Sequence, residues 1–185
     1  MKYPIDLSAF KPKSEILSYW SGFMAMKGNM YVHKTGSYVI RCKVPWRDVG
    51  HLYKFTNDLR TPKQPRKWAS GEHKYADFWV TNKELYNLLQ NPDVDMRHWT
   101  RGLIDGRGII DIQKKYLRIR FRGDKSTMIR DYLCKEVGRV HKPKISDDKI
   151  TFVGSSAVKI ARYLYTSQTR CLQRKFDKVA PFLFG

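Results

Sequence analysis

The stretch TRGLIDGRG at residues 100–108 repeats, 80 positions later, the pattern of WSGFMAMKG at residues 20–28. Both stretches place small residues among large apolar ones at helical spacing, and both end on glycine, which is typical of a helix C-terminus. Small side chains let two helix backbones approach closely, so we expect these two helices to pack against each other. The glycines that we assign to this helix interface are Gly22, Gly28, Gly102 and Gly108.

The same order of elements follows each of the two stretches. Alternating apolar and polar residues predict strand pairs over 29–34 with 38–44 and over 109–114 with 115–122. A helix, one or two further strands and another helix come next in both cases. The chain is therefore predicted to be a mixed α+β protein that arose by tandem duplication, with halves at 1–95 and 96–185.

Several local predictions accompany this outline. Ser14, Asp48 and Asn82 are expected to cap helices, as is either Asp124 or Ser126. The proline-interrupted, basic stretch at 61–67 is predicted to be a loop. The long apolar pattern over 155–176 predicts one helix or two abutting helices.

Charge is the most unusual feature of the composition. Lysine and arginine number 36 against 17 acids, which gives a formal net charge of +19 and favours a polyanionic partner, nucleic acid above all. Three widely spaced cysteines and five scattered histidines predict neither a disulfide framework nor a metal site, and suit a reducing compartment. No stretch approaches the ~20 apolar residues of a membrane span. An intracellular protein is expected, in the cytoplasm, associated with the nucleoid, or in an organelle.

The predicted strands carry positive charge on one face. In KYLRIRFR at 115–122, apolar residues alternate with three arginines, so that one face packs and the other is a row of guanidinium groups. Such side chains suit reading of the DNA major groove. The residues that we assign to base contact are Tyr31, His33, Arg41, Lys43, Asp111, Gln113, Arg118, Arg120 and Arg122. Those assigned to phosphate contact are Lys63, Arg66, Lys67, Arg139, His141, Lys142 and Lys144.

The two nine-residue stretches resemble the motif of the LAGLIDADG homing endonucleases, specifically of the single-chain, pseudo-symmetric type. Both align to that motif without gaps, and GLIDGRG at 102–108 is the closer copy. The stretch at 161–176 also resembles the last helix of that family, with an LY pair followed by a basic RK pair. The resemblance covers about residues 14–178. It implies two αββαββα halves that form a saddle of two antiparallel sheets over the DNA major groove.

The resemblance also shows a departure at the acids of the motif. In that family the second acid of each motif, next to the final glycine, holds a divalent metal at the scissile phosphate. Lys27 and Arg107 stand at those positions here, while the first acid is replaced by Ala25 and kept only as Asp105. No catalytic residue, metal or cofactor is therefore expected. A cation at a helix C-terminus is favoured by the helix dipole, so direct contact of Lys27 and Arg107 with phosphate is predicted, with drifted, solvated side chains as the alternative.

The function expected from these observations is that of a catalytically inactive, homing-endonuclease-like protein. It would bind double-stranded DNA as a monomer with a preference for sequence, as a transcriptional regulator or a phage or mobile-element factor. Two alternatives stay open. One is an RNA-binding intron maturase or splicing cofactor, and the other is an active metal-dependent DNA endonuclease that uses displaced acids such as Asp105 or Asp111.

Overall fold

The computed structural model describes residues 3–138 and 140–183, which form seven α-helices and two antiparallel sheets. The chain divides into two compact units, Met1–Gly106 and Arg107–Gly185, each with its own sheet. This division falls inside the helix Met96–Arg107 and places most of that helix in the first unit. The repeat halves 1–95 and 96–185 describe the sequence pattern and stay a prediction.

The first unit is built on a four-stranded sheet. Its elements are α1 (Glu15–Lys27), β1 (Gly28–Val32), β2 (Tyr38–Pro45), α2 (Val49–Asp58), β3 (Arg66–Ser70), β4 (His73–Thr81), α3 (Lys83–Gln90) and α4 (Met96–Arg107). A short 3₁₀ helix at Trp46–Asp48 lies between β2 and α2. Arg107, the last residue of α4, belongs to the second unit. The strand order is β1-β2-β4-β3, and all pairs are antiparallel.

Two helix starts in this unit are as the sequence predicts. The Ser14 hydroxyl accepts a hydrogen bond from the Leu17 N–H at 3.2 Å, and the Asn82 side chain accepts one from the Leu85 N–H at 2.7 Å. These caps satisfy N–H groups that have no partner within the helix. Asp48 stands at the start of α2, but its side chain makes no such bond.

The core of the first unit lies on one face of its sheet. Alternate residues of β2 and β4 are buried there against side chains of α1 and α2, because a strand directs successive side chains to opposite faces. The buried residues that the strands contribute are Ile40, Cys42, Val44, Ala76, Phe78 and Val80. The facing helices contribute Leu17, Trp20, Phe23, Leu52 and Phe55.

The second unit repeats this arrangement with a smaller sheet. Its elements are β5 (Ile109–Gln113), β6 (Tyr116–Arg122), α5 (Ser126–Val137), β7 (Lys149–Val153), α6 (Ser155–Tyr165) and α7 (Gln173–Val179), followed by a 3₁₀ helix at Ala180–Phe182. The strand order is β5-β6-β7. The described part of this unit has three strands where αββαββα implies four, and a single bridge between Ser146 and Lys149 stands before β7. Leu117, Ile119 and Phe121 are buried, as the alternation predicts.

Three local predictions were wrong. Arg66 and Lys67, assigned to a loop, begin β3, because the prolines that indicated a loop end at Pro65 and leave the following N–H groups free to pair. Lys125, rather than Asp124 or Ser126, stands at the N-cap of α5, and the Ser126 hydroxyl donates instead to the Asp148 carbonyl. The pattern over 155–176, predicted as one helix or two abutting ones, forms two helices separated by residues 166–172.

Within the described ranges, no helix has the length and apolar character that a bilayer crossing requires. All three cysteines are free. Burial raises the pKa of the Cys42 thiol to about 12, so this cysteine is a core residue rather than a nucleophile.

Candidate nucleic-acid interface

The helices α1 and α4 touch through their glycines, as the repeated stretches predict. A Cβ atom on Gly22 would lie 2.1 Å from the Trp99 carbonyl oxygen, and one on Gly102 would lie 2.2 Å from the Tyr19 carbonyl oxygen. Neither position has room for any side chain. Gly106 adds to the same contact, since a Cβ there would lie 2.7 Å from the Cβ of Met26.

The other two glycines assigned to the interface lie at chain transitions. Gly28 ends α1 and begins β1, and the atoms nearest to a Cβ there belong to Met24 of the same helix. Gly108 follows α4, and its carbonyl oxygen accepts a hydrogen bond from the buried Lys175 ammonium at 2.5 Å. Their role in the helix contact stays a prediction.

Buried polar groups also join the two helices. The Arg101 guanidinium, fully buried, pairs with the Glu15 carboxylate at 2.5 Å. The Tyr19 hydroxyl donates to Asp105 at 2.9 Å and lies 3.0 Å from Nε2 of His51. Because a phenol has one hydrogen, His51 must donate to the Tyr19 oxygen through its Nε2–H. The one acid that the motif retains, Asp105, is therefore 1 % exposed and engaged inside the first unit.

The last residues of the two motif helices are exposed cations. Lys27 ends α1 and Arg107 ends α4, where the helix dipole favours positive charge. A divalent metal at these ends would need oxygen ligands. The ends instead present an ammonium and a guanidinium, and no three His, Cys, Asp or Glu side chains come together within residues 3–138 and 140–183. The side chains at these two helix ends do not fit the metal centre that the resemblance to the LAGLIDADG motif implies.

The outer face of the first sheet centres on a buried carboxylate. Asp77 of β4 is fully buried and pairs with Arg41 of β2 through a short contact and with Arg66 of β3, whose Nε lies 3.4 Å away. We name these three residues the Asp77 cluster. Tyr31 of β1 is 40 % exposed on the same face, and His33 lies in the turn after β1, with Nδ1 3.0 Å from the Thr35 hydroxyl.

Aromatic rings hold further cations on this sheet. The Lys43 ammonium lies 3.7 Å from the centre of the Tyr75 ring and 4.4 Å from that of Trp68. The Lys63 ammonium lies 3.6 Å from the Trp79 ring and donates to the Trp79 carbonyl oxygen at 2.6 Å. Burial lowers the pKa of Lys63, while the negative charge of Asp77 opposes this shift. The rings thus fix the positions of the cations in addition to covering the sheet.

The outer face of the second sheet carries a more open cluster. The Asp111 carboxylate accepts from Nε and Nη2 of Arg118 at 2.8 and 3.0 Å and from Nη2 of Arg120 at 2.6 Å. Nη1 of Arg118 also donates to the Gln113 side-chain oxygen at 2.5 Å. We name Asp111, Arg118 and Arg120 the Asp111 cluster. Arg122 follows on the same face, is exposed, and pairs in register with Lys149 of β7.

The hydrogen bonds from Arg118 hold the pKa of Asp111 below its ordinary value of 3.8. Burial acts in the opposite direction, and Arg120 adds a further lowering through its hydrogen bond and charge. Asp111 is therefore ionised at neutral pH. Its oxygens are already engaged with three N–H groups, so it is poorly suited to be a metal ligand.

The residues assigned to phosphate contact lie in different places. Lys63 and Arg66 surround the Trp79 ring, while Lys67 lies on the opposite face of β3, 5.2 Å from the Trp46 ring. His141, Lys142 and Lys144 are exposed after α5, and Lys142 pairs with Asp131 at 3.0 Å. Arg139 lies outside the described residues. None of these assignments is tested by the geometry, and they stay predictions.

Asp77 is the residue of this surface that sequence reasoning missed. One signal was present, because the stretch HKYADFWVT at 73–81 places Tyr75, Asp77 and Trp79 on one face and apolar residues on the other. What the sequence does not show is the strand pairing that brings Arg41 and Arg66 to this acid.

Solved structures with a similar backbone identify the fold. No protein-family model matches the sequence, and no curated protein matches it. Among solved structures, I-LtrWI bound to its target DNA matches with a TM-score of 0.54 at 13 % identity, over 91 % of this chain and 89 % of that chain. Mesophilic variants of I-DmoI match with a TM-score of 0.55 at 16 % identity, over 84 % of this chain and 98 % of that chain. I-SmaMI bound to uncleavable DNA matches with a TM-score of 0.55 at 10 % identity, over 90 % of this chain and 88 % of that chain.

Two of these three structures are described as LAGLIDADG or homing endonucleases, and the third as a meganuclease. At identities of 10–16 %, the likeness is one of fold. The chain therefore has the fold of the single-chain LAGLIDADG homing endonucleases, as the two repeated stretches predict.

Proposed function

We propose that the protein binds double-stranded DNA, with a preference for sequence, through the outer faces of its two sheets and does not cleave it. The observation that carries this proposal is the chemistry of those faces. In each unit the sheet turns apolar residues to the core and presents arginines, held by a carboxylate, on the other side. Arginine is the side chain that most often reads guanine in the major groove.

Two further observations support DNA as the partner. The formal net charge of +19 favours a polyanion, and neutralisation of phosphates would supply much of the affinity. The solved structures of I-LtrWI and I-SmaMI, which share the fold, contain DNA. Occupation of a DNA site is the activity that we propose, as in a transcriptional regulator or a phage or mobile-element factor.

The absence of cleavage rests on the ends of the motif helices. Lys27 and Arg107 are cations where a metal-dependent nuclease needs carboxylates. The two acids that the nuclease alternative invokes are already engaged, Asp105 with Tyr19 and Asp111 with two arginines. The exposed cations at the helix ends are suited instead to contact phosphate directly.

The test separates binding from cutting. The purified protein is incubated with a library of random duplexes in chelator, retained duplexes are amplified, and the selected duplex is then incubated with the protein in Mg²⁺ or Mn²⁺. We expect retention without metal and no cleavage products with it. Metal-dependent nicking that is lost in Asp105→Asn or Asp111→Asn would favour the nuclease alternative, and tighter binding to a structured RNA would favour the maturase alternative.

Charge reversals test the helix ends separately. If each cation contacts a phosphate, Lys27→Asp and Arg107→Asp should each weaken retention and reduce the slope of log affinity against log salt by about 0.9. Lys11→Asp is the matched control, because Lys11 is exposed in the segment before α1. If the two reversals weaken binding no more than Lys11→Asp does, the helix ends do not touch DNA.

A further inference from the structure

The Asp77 and Asp111 clusters share an arrangement that DNA affinity alone does not require. In each, one carboxylate lies between two arginines of the sheet face. A carboxylate beneath a DNA-binding surface repels phosphate and weakens non-specific affinity. Its presence in both sheets therefore needs a different explanation from charge attraction.

The hydrogen bonds of the Asp111 cluster show what the carboxylate does. A guanidinium has five N–H groups. Arg118 uses two of them on Asp111 and one on Gln113, which fixes the plane of the group and leaves two N–H groups available. Two donors in one plane are what the O6 and N7 acceptors of guanine require. Arg120 is tied to the same carboxylate through Nη2 only.

The Asp77 cluster fixes its arginines in a second way. Arg41 pairs with the buried carboxylate, while Arg66 lies 3.4 Å from it and has its guanidinium carbon 5.1 Å from the centre of the Trp79 ring. Arg41 and Arg66 remain 41 % and 59 % exposed, so both stay accessible from outside. The carboxylate again orients groups that would otherwise sample many rotamers.

Orientation matters for base reading and hardly at all for phosphate contact. A mobile arginine attracts phosphate from many positions, whereas a paired contact with a base edge needs the planar group at one angle. Holding the group in place before binding also removes the entropy loss of ordering it in the complex.

We propose that Asp111 and Asp77 are positioning residues for base recognition, which hold Arg118 and Arg41 in the geometry that reads guanine. The preferred DNA sites then contain G·C pairs opposite both clusters. This inference rests on the proposed function. Loss of either carboxylate should lower discrimination between sequences while affinity for unselected duplex stays the same or rises.

The experiment compares each variant with a control of equal charge. Asp111→Asn is matched by Asp177→Asn, since Asp177 is exposed on α7 and accepts a hydrogen bond from Gln173 of the same helix at 2.8 Å. Asp77→Asn is matched by Asp6→Asn, because Asp6 also pairs with an arginine, the exposed Arg60. The measured quantity is the ratio of Kd for a scrambled duplex to Kd for the duplex selected by the wild type. A second duplex carries 7-deazaguanine, which lacks the N7 acceptor, in place of guanine.

We expect Asp111→Asn to lower the ratio at least about fivefold, because one paired arginine–guanine contact is worth about 1–3 kcal/mol of discrimination. Asp177→Asn should leave the ratio unchanged. The wild type should lose affinity for the 7-deazaguanine duplex, and Asp111→Asn should lose much less. Arg118→Lys, which keeps the charge but not the planar fork, should lower the ratio as far as Asp111→Asn does. The double variant should lower the ratio no further than either single variant, so the two effects are non-additive.

Asp77 is fully buried, so binding by Asp77→Asn is measured only after thermal denaturation shows that this variant is folded. If Asp77→Asn does not fold, the result for the more exposed Asp111 decides the inference. Equal ratios and equal 7-deazaguanine effects in Asp111→Asn and Asp177→Asn would overturn the inference and leave DNA binding intact. Failure of the wild type to retain any duplex would overturn the proposed function and this inference together.

Discussion

The two sheets present arginines from the same kind of surface but hold them differently. The Asp111 cluster uses three N–H donors at 2.6–3.0 Å around a carboxylate that is 25 % exposed. The Asp77 cluster uses a fully buried carboxylate with one close and one longer partner, and aromatic rings lie nearby. The second sheet thus positions its arginines by hydrogen bonds to a half-buried carboxylate, whereas the first uses an ion pair of Arg41 with a buried carboxylate and the packing of Arg66 against the Trp79 ring. Substitutions in the first sheet should therefore affect folding more strongly.

The largest expected effect concerns the helix contact in the unit of the first sheet. Gly102→Val should lower the free energy of unfolding by about 3 kcal/mol or more, because its Cβ would meet the Tyr19 carbonyl oxygen at 2.2 Å and backbone cannot give way as a side chain can. Urea denaturation, monitored by tryptophan fluorescence, measures this change in the free energy of unfolding.

Gly50→Ala in α2 is the control for that substitution. A Cβ there meets nothing within 4 Å, so the change should stabilise the helix by about 0.5–1 kcal/mol. Equal effects of the two substitutions would show that α1 and α4 do not pack as described.

The next effect contrasts the two carboxylates directly. Asp77→Ala should lower the free energy of unfolding by about 1–3 kcal/mol, because it removes the buried partner of two arginines. Asp111→Ala should lower it by less than about 1 kcal/mol, since its cluster lies near the surface. Chemical denaturation of both variants gives the two values, and a loss at Asp111 as large as at Asp77 would break the contrast.

A smaller effect is expected from the aromatic rings of the first sheet. Lys43→Met keeps the aliphatic stem but removes the cation from the Trp68 and Tyr75 rings, and should lower the free energy of unfolding by about 0.5–1 kcal/mol. Lys34→Met, in the exposed turn between β1 and β2, is the control. Identical denaturation midpoints for the two variants would show that the rings do not hold Lys43.

The smallest effect is a titration in the second sheet. The carboxyl of Asp111 should titrate below 3.8, so its ion pairs contribute stability above the pKa of the unfolded chain and lose it as pH falls through the folded pKa. Arg118→Ala should raise the midpoint toward 3.8. NMR of the carboxyl carbon measures it, with Asp131, which pairs with Arg130 and Lys142, as the internal reference. A midpoint that Arg118→Ala does not move would mean that Arg118 does not bond to Asp111.

Short-range patterns in the sequence predicted much of this fold. The arginines of β6 lie on the face opposite Leu117, Ile119 and Phe121 because the strand period is two whatever the partner strand. Ser14 and Asn82 cap helices because each side chain reaches an N–H three residues on. The glycine spacing predicted the contact of α1 and α4.

Features that depend on pairing over long distances were not predicted. Asp77 lies 36 residues from Arg41 and 11 from Arg66, so only the register of three strands joins them. Gln113, assigned to base contact, turns out to support Arg118 as well, and that contact crosses a hairpin. The stretch 155–176 left one helix or two abutting helices open, and the length of the break at 166–172 was not predicted although its residues TSQTR are polar.

The phenol of Tyr19 has a consequence for how the first unit can vary. Its single oxygen serves side chains from two other helices, since it donates to Asp105 of α4 and accepts from His51 of α2. Phenylalanine at this position would remove one hydrogen-bond partner from a buried carboxylate and one from a buried imidazole. The three residues should consequently change as a set in natural variants of this chain, and Asp105 should persist where Tyr19 and His51 do, independently of nuclease activity.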